Sequence, residues 1–511
     1  MKKELRVLLV LALAKFILPF ILQSPVYEPH RDEFLYLAEA HHMAWGYMEI
    51  PPLLSVFAWI SNLLGHGIFW IKLWPSLFGA LTYCMVGKII LSLGGRSFAL
   101  FLGFLPFVLG IYLRMHFLFQ PNFLEVFFWT MIAYSILRYI ESEKNFWLYI
   151  LGISIGLGMI SKYSVAFFVL SVLAGLLITR NHKIFLNRHF YFAGGLAILI
   201  FLPTFLWEYE NHFPVVVHMK ELQKTQLQYV SPKGFLVDQI LMNLPCVFIW
   251  IAGLYFCVFK QNGKYQIFAW AYLFVILLLL YFQGKNYYSA GVYPVLFALG
   301  AFQLEQFANK HSRVWKYALI MIPLFIGIPI IPLGLPVAKP SKLASYYKAL
   351  HVKNIGFLKW EDQQNHPLTQ DFADMLGWKE MTAKTAAAYS TLSADEKKNT
   401  IIFADNYGEA GAINFYGKRY HLPEAYSDNA SFLYWLPHNM KLNNIILITD
   451  DTLEMQHPFI KNFSTAILFG SVTNFYARER GSLILVLKGA NEKMQEMFRQ
   501  KIKADREKFL Q

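Results

Sequence analysis

The sequence has few charged residues for its length. Of its 511 residues, 15% are Asp, Glu, Lys or Arg and 56% are hydrophobic, whereas about 25% of the residues of a typical soluble protein are charged. This composition excludes a large water-soluble enzyme and predicts a polytopic membrane protein. The formal net charge of +13 does not indicate nucleic-acid binding, because the basic residues lie mainly in short loops between apolar runs, where membrane proteins carry their topology signal.

Cysteine is also scarce. The three cysteines, Cys84, Cys246 and Cys257, all lie in apolar segments. We therefore expect no structural disulfide, even though the compartment predicted below for the C-terminal region is oxidising. That region also lacks a nucleophile elbow, a phosphate-binding loop and a complete dinucleotide fingerprint, the usual signatures of soluble hydrolases and nucleotide enzymes.

Long apolar runs fill the first two thirds of the chain. A spanning helix needs roughly 20 apolar residues, and this rule predicts an α-helical membrane domain of about eleven spans. The first run is expected to be an uncleaved helix, because no small-x-small cleavage site follows it. The predicted spans lie near 5–22, 67–90, 97–112, 122–140, 146–160, 163–179, 190–206, 235–259, 266–282, 289–305 and 317–336.

The charge pattern orients these spans. Lys and Arg residues precede the first span and then fall in alternate loops, which places the N-terminus in the cytoplasm and the C-terminal region outside an inner (plasma) membrane. Residues 1–340 are predicted to form the membrane domain, with a long first outer loop at 23–66. Residues 341–511 are predicted to form a soluble extracytoplasmic α/β domain, with strand-like runs at 400–404, 444–449, 465–469 and 483–487.

The first outer loop contains the most unusual charge cluster, His30-Arg31-Asp32-Glu33. Ionisable groups near membrane depth are costly and usually functional. The pattern after Pro29 predicts a short helix from about Asp32 that lies along the membrane surface. The ordinary interpretation is that Asp32 caps this helix and Glu33 complements its dipole. That interpretation explains one carboxylate, but not the whole cluster.

Several short motifs follow one another along the chain. They are Asp32-Glu33 after the first span, Gly46-Tyr47, Pro51-Pro52-Leu53, Ser161-Lys162-Tyr163-Ser164, Gly284-Lys285-Asn286-Tyr287-Tyr288 with Tyr293-Pro294, and Ala404-Asp405-Asn406-Tyr407-Gly408-Glu409-Ala410. In this order and membrane placement the chain resembles the dolichyl-phosphate-mannose-protein mannosyltransferase superfamily, in particular its bacterial branch (GT-C type, similar to glycosyltransferase families 39 and 83).

The resemblance implies a GT-C-like fold and a glycosyltransferase with a lipid-linked sugar donor. It also implies that Asp32 or Glu33 is the catalytic base or orients the acceptor. Relatives that use an aminoarabinose donor carry a lysine just before the loop proline, whereas this chain has Glu49-Ile50. The aminoarabinose donor is therefore not implied.

A polyprenyl-phosphate donor leaves as an anion, so fixed cations are needed where its charge develops. The candidates at the predicted outer face are Arg31, Arg114, Lys162 and Lys285. The strongest is Lys162, at an outer turn between two short spans. The alternative for the lysines is snorkelling to lipid headgroups, and for Arg114 it is an interfacial anchor. Tyr287 is a further candidate, although tyrosines often mark the aromatic belt.

Metal binding is left open by the sequence. The histidines of the outer loops do not have zinc-like spacing, but carboxylates and phosphate both suit Mg²⁺ or Mn²⁺. In the C-terminal region, Asn406 and Glu409 match a capping box and Gly417 a helix end. This structural interpretation is preferred to an acceptor-recognition loop at the same residues.

These observations predict an enzyme that moves a sugar from a polyprenyl-phosphate carrier to a lipid, glycan or protein acceptor at the outer membrane face. Because one carboxylate would activate the acceptor without a covalent step, the reaction is expected to invert the anomeric carbon. A transporter or flippase of lipid-linked sugars is the main alternative, although a transporter should show repeat symmetry, which is not seen here. A membrane-anchored binding or assembly protein is a third.

Overall fold

Helices dominate the computed structural model, which describes residues 2–65, 67–437 and 442–510. The membrane region contains α1 (Lys2–Leu22), α2 (Arg31–Glu39), α3 (Leu53–Leu64), α4 (Ile68–Ser92), α5 (Ser97–Leu109), α6 (Tyr112–Met115), α7 (Asn122–Ser142), α8 (Phe146–Met159), α9 (Val165–Ile178), α10 (Arg188–Glu210), α11 (Pro214–Thr225), α12 (Pro232–Leu241), α13 (Val247–Phe259), α14 (Gln266–Tyr281), α15 (Tyr293–Lys310), α16 (Arg313–Gly327) and α17 (Ile331–Gly334).

All eleven predicted spans fall on helical segments, although 235–259 is divided between α12 and α13 and 317–336 between α16 and α17. By length and composition, five helical segments of the described chain can cross a membrane alone: α1, α4, α7, α10 and Arg313–Gly334. Two more do so if bent pairs are counted as single spans: α9 with Arg180–Leu186, bent by 106°, and α12 with Leu244–Phe259, bent by 65°. Apolar helices α5, α8 and α14 are shorter. The structure adds α3, a short apolar helix inside the predicted first outer loop.

Small residues permit close packing within the membrane region. A Cβ atom on Gly152 would collide with the backbone of Ala193, and one on Gly156 would lie 2.7 Å from the Ile200 side chain. The two glycines are four residues apart on α8, so they form one flat stripe that receives α10. The Gly152-x-x-x-Gly156 spacing therefore allows close packing of α8 on α10.

The C-terminal region, called the tail below, is a mixed α/β domain. It contains α18 (Pro340–Ala349), α19 (Gln370–Ala373), α20 (Trp378–Ser390), α21 (Ala394–Lys398), β1 (Thr400–Ala404), α22 (Tyr407–Tyr416), β2 (Ala425–Tyr426), α23 (Phe432–Trp435), β3 (Asn444–Thr449), β4 (Phe463–Ser471), β5 (Leu483–Ala490) and α24 (Glu492–Leu510). The strand order is β2-β1-β3-β5-β4, parallel from β2 to β3 and antiparallel from β3 to β4.

The tail packs directly on the membrane region. One hydrophobic core joins α2, α3 and α7 to α20, α22 and the sheet, and it includes Phe34, Phe123, Trp378 and Ile446. The α2 helix lies between the two regions, and residues 33–40 are all buried. The tail thus covers α2, which is not exposed at a surface, and the expected direction of this helix along the membrane stays a prediction.

Candidate active site

The charge cluster of the first outer loop forms the start of α2. His30 is the N-cap: its Nδ1 accepts a hydrogen bond from the backbone N–H of Asp32 at 3.2 Å. The backbone N–H of His30 donates in return to Oε2 of Glu33 at 2.8 Å, which completes a capping box. The cap expected from Asp32 is thus made by His30, and the Asp32 side chain is left for other contacts.

Glu33 points into the membrane region. Its Oε1 accepts hydrogen bonds from Nζ of Lys72 on α4 at 2.5 Å and from the backbone N–H of Phe119 at 2.6 Å. The Lys72 ammonium also lies 4.2 Å from the ring centroid of Phe117. Both members of the ion pair are buried, with side-chain exposures of 2% for Lys72 and 0% for Glu33. The Glu33 carboxylate is fully engaged, and it ties α2 to α4.

Asp32 meets the tail instead. Its Oδ1 accepts a hydrogen bond from the hydroxyl of Tyr407 at 2.7 Å, and its Oδ2 accepts one from Nε2 of Gln120 at 2.9 Å. Burial opposes ionisation, but His30, the Tyr407 hydrogen bond, Arg31 and Lys285 outweigh it and lower the pKa of Asp32. Asp32 is therefore an ionised carboxylate at neutral pH whose two direct side-chain partners are uncharged.

The tail reaches Asp32 because α22 approaches α2 closely. A Cβ atom on Gly408 would lie 2.5 Å from Cγ of Arg31, and one on Gly411 would lie 2.7 Å from Cβ of Phe34. These two glycines face α2, and Tyr407 is the first residue of the same helix. The Arg31 guanidinium lies 4.8 Å from the Tyr407 ring centroid, so it holds this ring from one side.

Two other predicted cations lie near the same carboxylate. Arg114 forms an ion pair with Asp371 of the tail. Burial opposes ionisation of Asp371, but Arg114 and His30 lower its pKa to about 2. Lys285 donates from Nζ to the amide oxygen of Gln226 at 2.5 Å, and it is among the groups that lower the pKa of Asp32. The structure thus brings Arg31, Asp32, Arg114 and Lys285 together.

Lys162 belongs to a second group beside the first. Its Nζ donates to Oε2 of Glu125 at 2.6 Å and to Oδ1 of Asn122 at 2.8 Å, and it lies 4.4 Å from the ring centroid of Tyr288. The side chain is therefore turned into the protein, and the snorkelling alternative for Lys162 was wrong. Its charge is already balanced by Glu125, which also accepts a hydrogen bond from the hydroxyl of Ser164.

Tyr287 lies between the two groups. The Lys162 ammonium is 5.8 Å from its ring centroid. Burial raises the pKa of its hydroxyl, with opposing effects from Arg114 on one side and from Asp32 and Glu125 on the other. All seven predicted site residues therefore lie at the junction of the outer loops and the tail, with Glu33 directed inward.

Four partners in this site were not predicted from the sequence: Gln120, Glu125, Asp371 and Tyr407. Glu125 had a usable signal, a carboxylate in the first turn of an apolar span. Tyr407 stood inside a motif that was interpreted as a helix cap. That interpretation is half right, because Oδ1 of Asn406 accepts from the backbone N–H of Gly408 at 2.9 Å and of Glu409 at 3.1 Å. The Glu409 carboxylate does not return the bond, since both of its oxygens are buried without a hydrogen-bond partner.

The comparisons agree with this architecture. Residues 49–207 match the family model described as dolichyl-phosphate-mannose-protein mannosyltransferase. This segment includes Arg114 and Lys162, but not Asp32 or Lys285. No curated protein matches the sequence. ArnT from Cupriavidus metallidurans bound to undecaprenyl phosphate superposes with a TM-score of 0.61 at 13% identity, over 94% of this chain and 97% of that chain. Its apo structure gives a TM-score of 0.60 at 12% identity, with the same coverage.

The chain has a GT-C fold. The predicted resemblance to the mannosyltransferase superfamily is confirmed, as is the α-helical membrane architecture with a C-terminal sheet domain. A third similar structure is the Archaeoglobus fulgidus oligosaccharyltransferase in complex with Zn and sulfate, with a TM-score of 0.50 at 13% identity, over 88% of this chain and 68% of that chain. The family match and the GT-C fold together support a transferase.

Glu33 has no oxygen free for a divalent cation, because its oxygens are bonded to Lys72 and to two backbone N–H groups. Among the residues that the structure describes, no group of three His, Cys, Asp or Glu side chains is arranged to hold a metal ion. A divalent cation shared between Asp32 and a substrate phosphate stays a prediction.

Proposed function

We propose that the chain is an integral membrane glycosyltransferase that moves a sugar from a polyprenyl phosphate to an acceptor on the outer side of the membrane. The observation that carries this proposal is the position of one ionised carboxylate, Asp32, beside Arg114 and Lys285 at the junction with the tail. A structural relative of the same fold, ArnT, has been solved with undecaprenyl phosphate bound. The acceptor is a lipid, a glycan or a protein.

Asp32 is the proposed general base. The acceptor hydroxyl gives its proton to Asp32 as its oxygen attacks the anomeric carbon of the donor sugar. The bond from that carbon to the phosphate oxygen breaks, and polyprenyl phosphate leaves with the bonding electrons. Since a single displacement occurs with no covalent sugar–enzyme intermediate, the configuration at the anomeric carbon inverts. Tyr407 and Gln120 hold the carboxylate in place by hydrogen bonds to its two oxygens.

The cations have different proposed roles because they have different partners. Lys285 is bonded to a neutral amide, so its positive charge remains available for the phosphate anion that develops as the donor leaves. Arg114 is partly neutralised by Asp371, but its side chain is 40% exposed and its five donors can bond phosphate as well. Lys162 is bonded to Glu125 and holds the Tyr287–Tyr288 turn, while Arg31 positions Tyr407.

Glu33 is proposed to position the base rather than to react. Its contacts with Lys72 and with the backbone of Phe119 fix the first turn of α2, and Asp32 is part of that turn. The expected topology, with a cytoplasmic N-terminus and an extracytoplasmic tail, places this whole assembly on the outer side, where a lipid-linked donor that has already crossed the membrane would be used.

The test is sugar transfer by Asp32→Asn, assayed in membrane vesicles with a radiolabelled polyprenyl-phosphate sugar and total membrane acceptors. Loss of a general base typically costs about 10²–10⁴-fold in rate, so we expect a loss in that range with unchanged membrane insertion. The matched control is Asp395→Asn, which removes an exposed tail carboxylate that pairs with Lys398 and should leave the rate unchanged.

Two results would count against the proposal. Full transfer activity in Asp32→Asn would remove the assigned base. Movement of labelled lipid across the bilayer of reconstituted vesicles, with no new glycosidic bond in any acceptor, would identify the protein as a flippase of lipid-linked sugars.

A further inference from the structure

A polar cavity opens beside the proposed active site on its tail side. Its volume is about 320 Å³, close to the lower limit of typical small-molecule pockets, roughly 300–1,000 Å³. Its walls come from the end of α11, from Lys285 and from the tail segment 359–371. Two wall residues connect it to the reaction centre: Lys285, whose charge acts on Asp32, and Asp371, which is paired with Arg114.

The tail residues on the cavity wall belong to a compact hairpin. Lys359 pairs with Asn365 in an antiparallel bridge, and the backbone N–H of Trp360 donates to the carbonyl of Gln364 at 3.0 Å. The Trp360 indole N–H donates to the carbonyl of Leu368 at 2.9 Å. These bonds fix the backbone of Lys359 and the ring of Trp360 on the cavity wall.

The cavity is electropositive toward a ligand. Its two carboxylates are each paired with an arginine: Asp371 with Arg114, and Glu361 with Arg478 at 3.0 Å. Its two lysines, Lys285 and Lys359, form no ion pair with a carboxylate within the described chain. Because Lys285 also acts on Asp32, Lys359 is the wall cation without a charged partner among the described residues, and it favours an anionic ligand.

The remaining wall suits a sugar ring. Amide side chains both donate and accept hydrogen bonds, as sugar hydroxyls do, and aromatic rings offer flat apolar surfaces for the C–H face of a pyranose. The cavity has three amides and two aromatic rings of this kind: Gln226, Gln363, Gln370, Tyr229 and Trp360. Because its volume is small, it can hold one or two sugar rings, but not an extended glycan.

We infer that this cavity is the acceptor subsite and that it binds an acidic sugar, with a phosphate or carboxylate group at Lys359 and a hydroxyl directed past Lys285 to Asp32. The inference rests on the proposed function and narrows its acceptor to an anionic saccharide unit. The donor lipid would enter from the membrane, whereas this cavity lies on the tail side, so the two substrates would approach Asp32 from different sides.

The test uses the full-length protein in detergent, saturated with undecaprenyl phosphate so that the donor phosphate site is filled. Mannose and mannose 6-phosphate, a pair that differs only in the phosphate, are titrated by saturation-transfer NMR. We expect mannose 6-phosphate to bind more tightly than mannose. Lys359→Gln should weaken its binding by about threefold to fivefold, as expected for one exposed charge pair, and Lys359→Arg should retain most of it.

The matched control is Lys353→Gln, an exposed tail lysine that lines a neighbouring cavity instead. It should leave binding of the sugar phosphate unchanged. Equal binding of mannose and mannose 6-phosphate would overturn the inference, as would equal weakening in the Lys353 and Lys359 variants. Inorganic phosphate that competes as well as the sugar phosphate would show a simple anion site and would overturn it too.

Failure of this inference can be separated from failure of the proposed function. If undecaprenyl phosphate displaces the sugar phosphate, the anion occupies the donor site and the acceptor subsite is disproved, while the proposed function stands. If undecaprenyl phosphate does not bind the protein at all, while Lys359-dependent sugar-phosphate binding persists, the lipid-linked donor is disproved and the anionic sugar site stands.

Discussion

The two sides of α2 carry adjacent carboxylates in opposite circumstances. On the membrane side, Glu33 has no exposed surface and is bonded at 2.5 Å to the Lys72 ammonium. On the tail side, the Asp32 side chain is 32% exposed, accepts hydrogen bonds from Tyr407 and Gln120, and has the His30 ring 3.9 Å away. The Glu33 charge is balanced by a buried ammonium in direct contact, whereas Asp32 is bonded to neutral groups and is the carboxylate that we propose as the base.

The same distinction separates the lysines of the outer face. Lys162 is 15% exposed and bonded to a buried carboxylate, while Lys285 is bonded to an amide oxygen. We therefore propose Lys285 as the main phosphate cation, in place of Lys162, which the sequence had favoured. In both pairs, the partner rather than the residue type decides which group is free to act on a ligand.

Breaking the membrane side of α2 should have the largest effect on stability. Glu33→Gln keeps one oxygen, for either the Phe119 or the His30 N–H group, and it leaves the buried Lys72 ammonium without its counter-charge. Removal of one partner from a buried pair costs about 3–5 kcal/mol. We expect a loss of that size in the free energy of unfolding, measured by thermal or chemical unfolding in detergent.

The double variant Glu33→Gln with Lys72→Met should recover part of this loss, because the unpaired charge is gone. If Glu33→Gln instead unfolds like the wild type but transfers no sugar, Glu33 takes part in the chemistry, and the contrast between the two carboxylates fails.

A smaller effect is expected from separating the tail from α2. In Gly411→Ala the new Cβ atom would lie 2.7 Å from Cβ of Phe34 and 3.0 Å from its carbonyl carbon and oxygen. Overpacking of this kind costs about 1–3 kcal/mol, and it would move Tyr407 away from Asp32. We expect weaker transfer and faster proteolytic release of the tail.

Gly194→Ala is the control for the tail contact, since no heavy atom lies within 4 Å of the Cβ position at Gly194 on α10. It should leave both transfer and proteolysis unchanged. An equal loss of activity in the two alanine variants would show that close packing of α22 on α2 is not what completes the site.

The sequence predicted most of the helices and strands because their signals are local. The eleven apolar runs lie on helical segments, two of them divided between two helices. Four of the five strands fall at the expected runs, and the exception, β2, has only two residues. The burial of α2 could not be predicted, because an amphipathic pattern does not tell whether lipid, water or the chain's own tail covers the polar face.

The side-chain contacts of the site were less predictable than its location. The cluster at residues 30–33 was recognised from its charges, but the contact of Asp32 with Tyr407 spans 375 residues of sequence. Lys162 was recognised as a candidate cation, yet its role depends on Glu125 in a neighbouring helix, 37 residues earlier. Nothing in either local sequence specifies such a partner, since it follows from how the helices pack.

The smallest expected effect comes from the tail hydroxyl alone. Tyr407→Phe keeps the ring against Arg31 but removes the hydrogen bond to Asp32. A bond to a charged group is worth about 1.5–3 kcal/mol, and part of its loss is offset because the freed carboxylate is a stronger base. We expect a decrease of about tenfold in kcat, measured with the transfer assay.

The pH profile distinguishes this positioning role from a structural one. The Tyr407 hydrogen bond lowers the pKa of Asp32 from its ordinary value of 3.8. The carboxylate therefore stays ionised at pH 3.8 and is protonated only at lower pH. Without the hydroxyl, the acid limb of kcat/KM should move to higher pH. Tyr420→Phe, which alters a tail tyrosine that is 42% exposed, should shift neither rate nor limb. Tyr407→Phe could instead lower the rate without moving the acid limb of the kcat/KM profile. The tail would then support α2 without acting on Asp32, and the two sides of α2 would differ in burial alone.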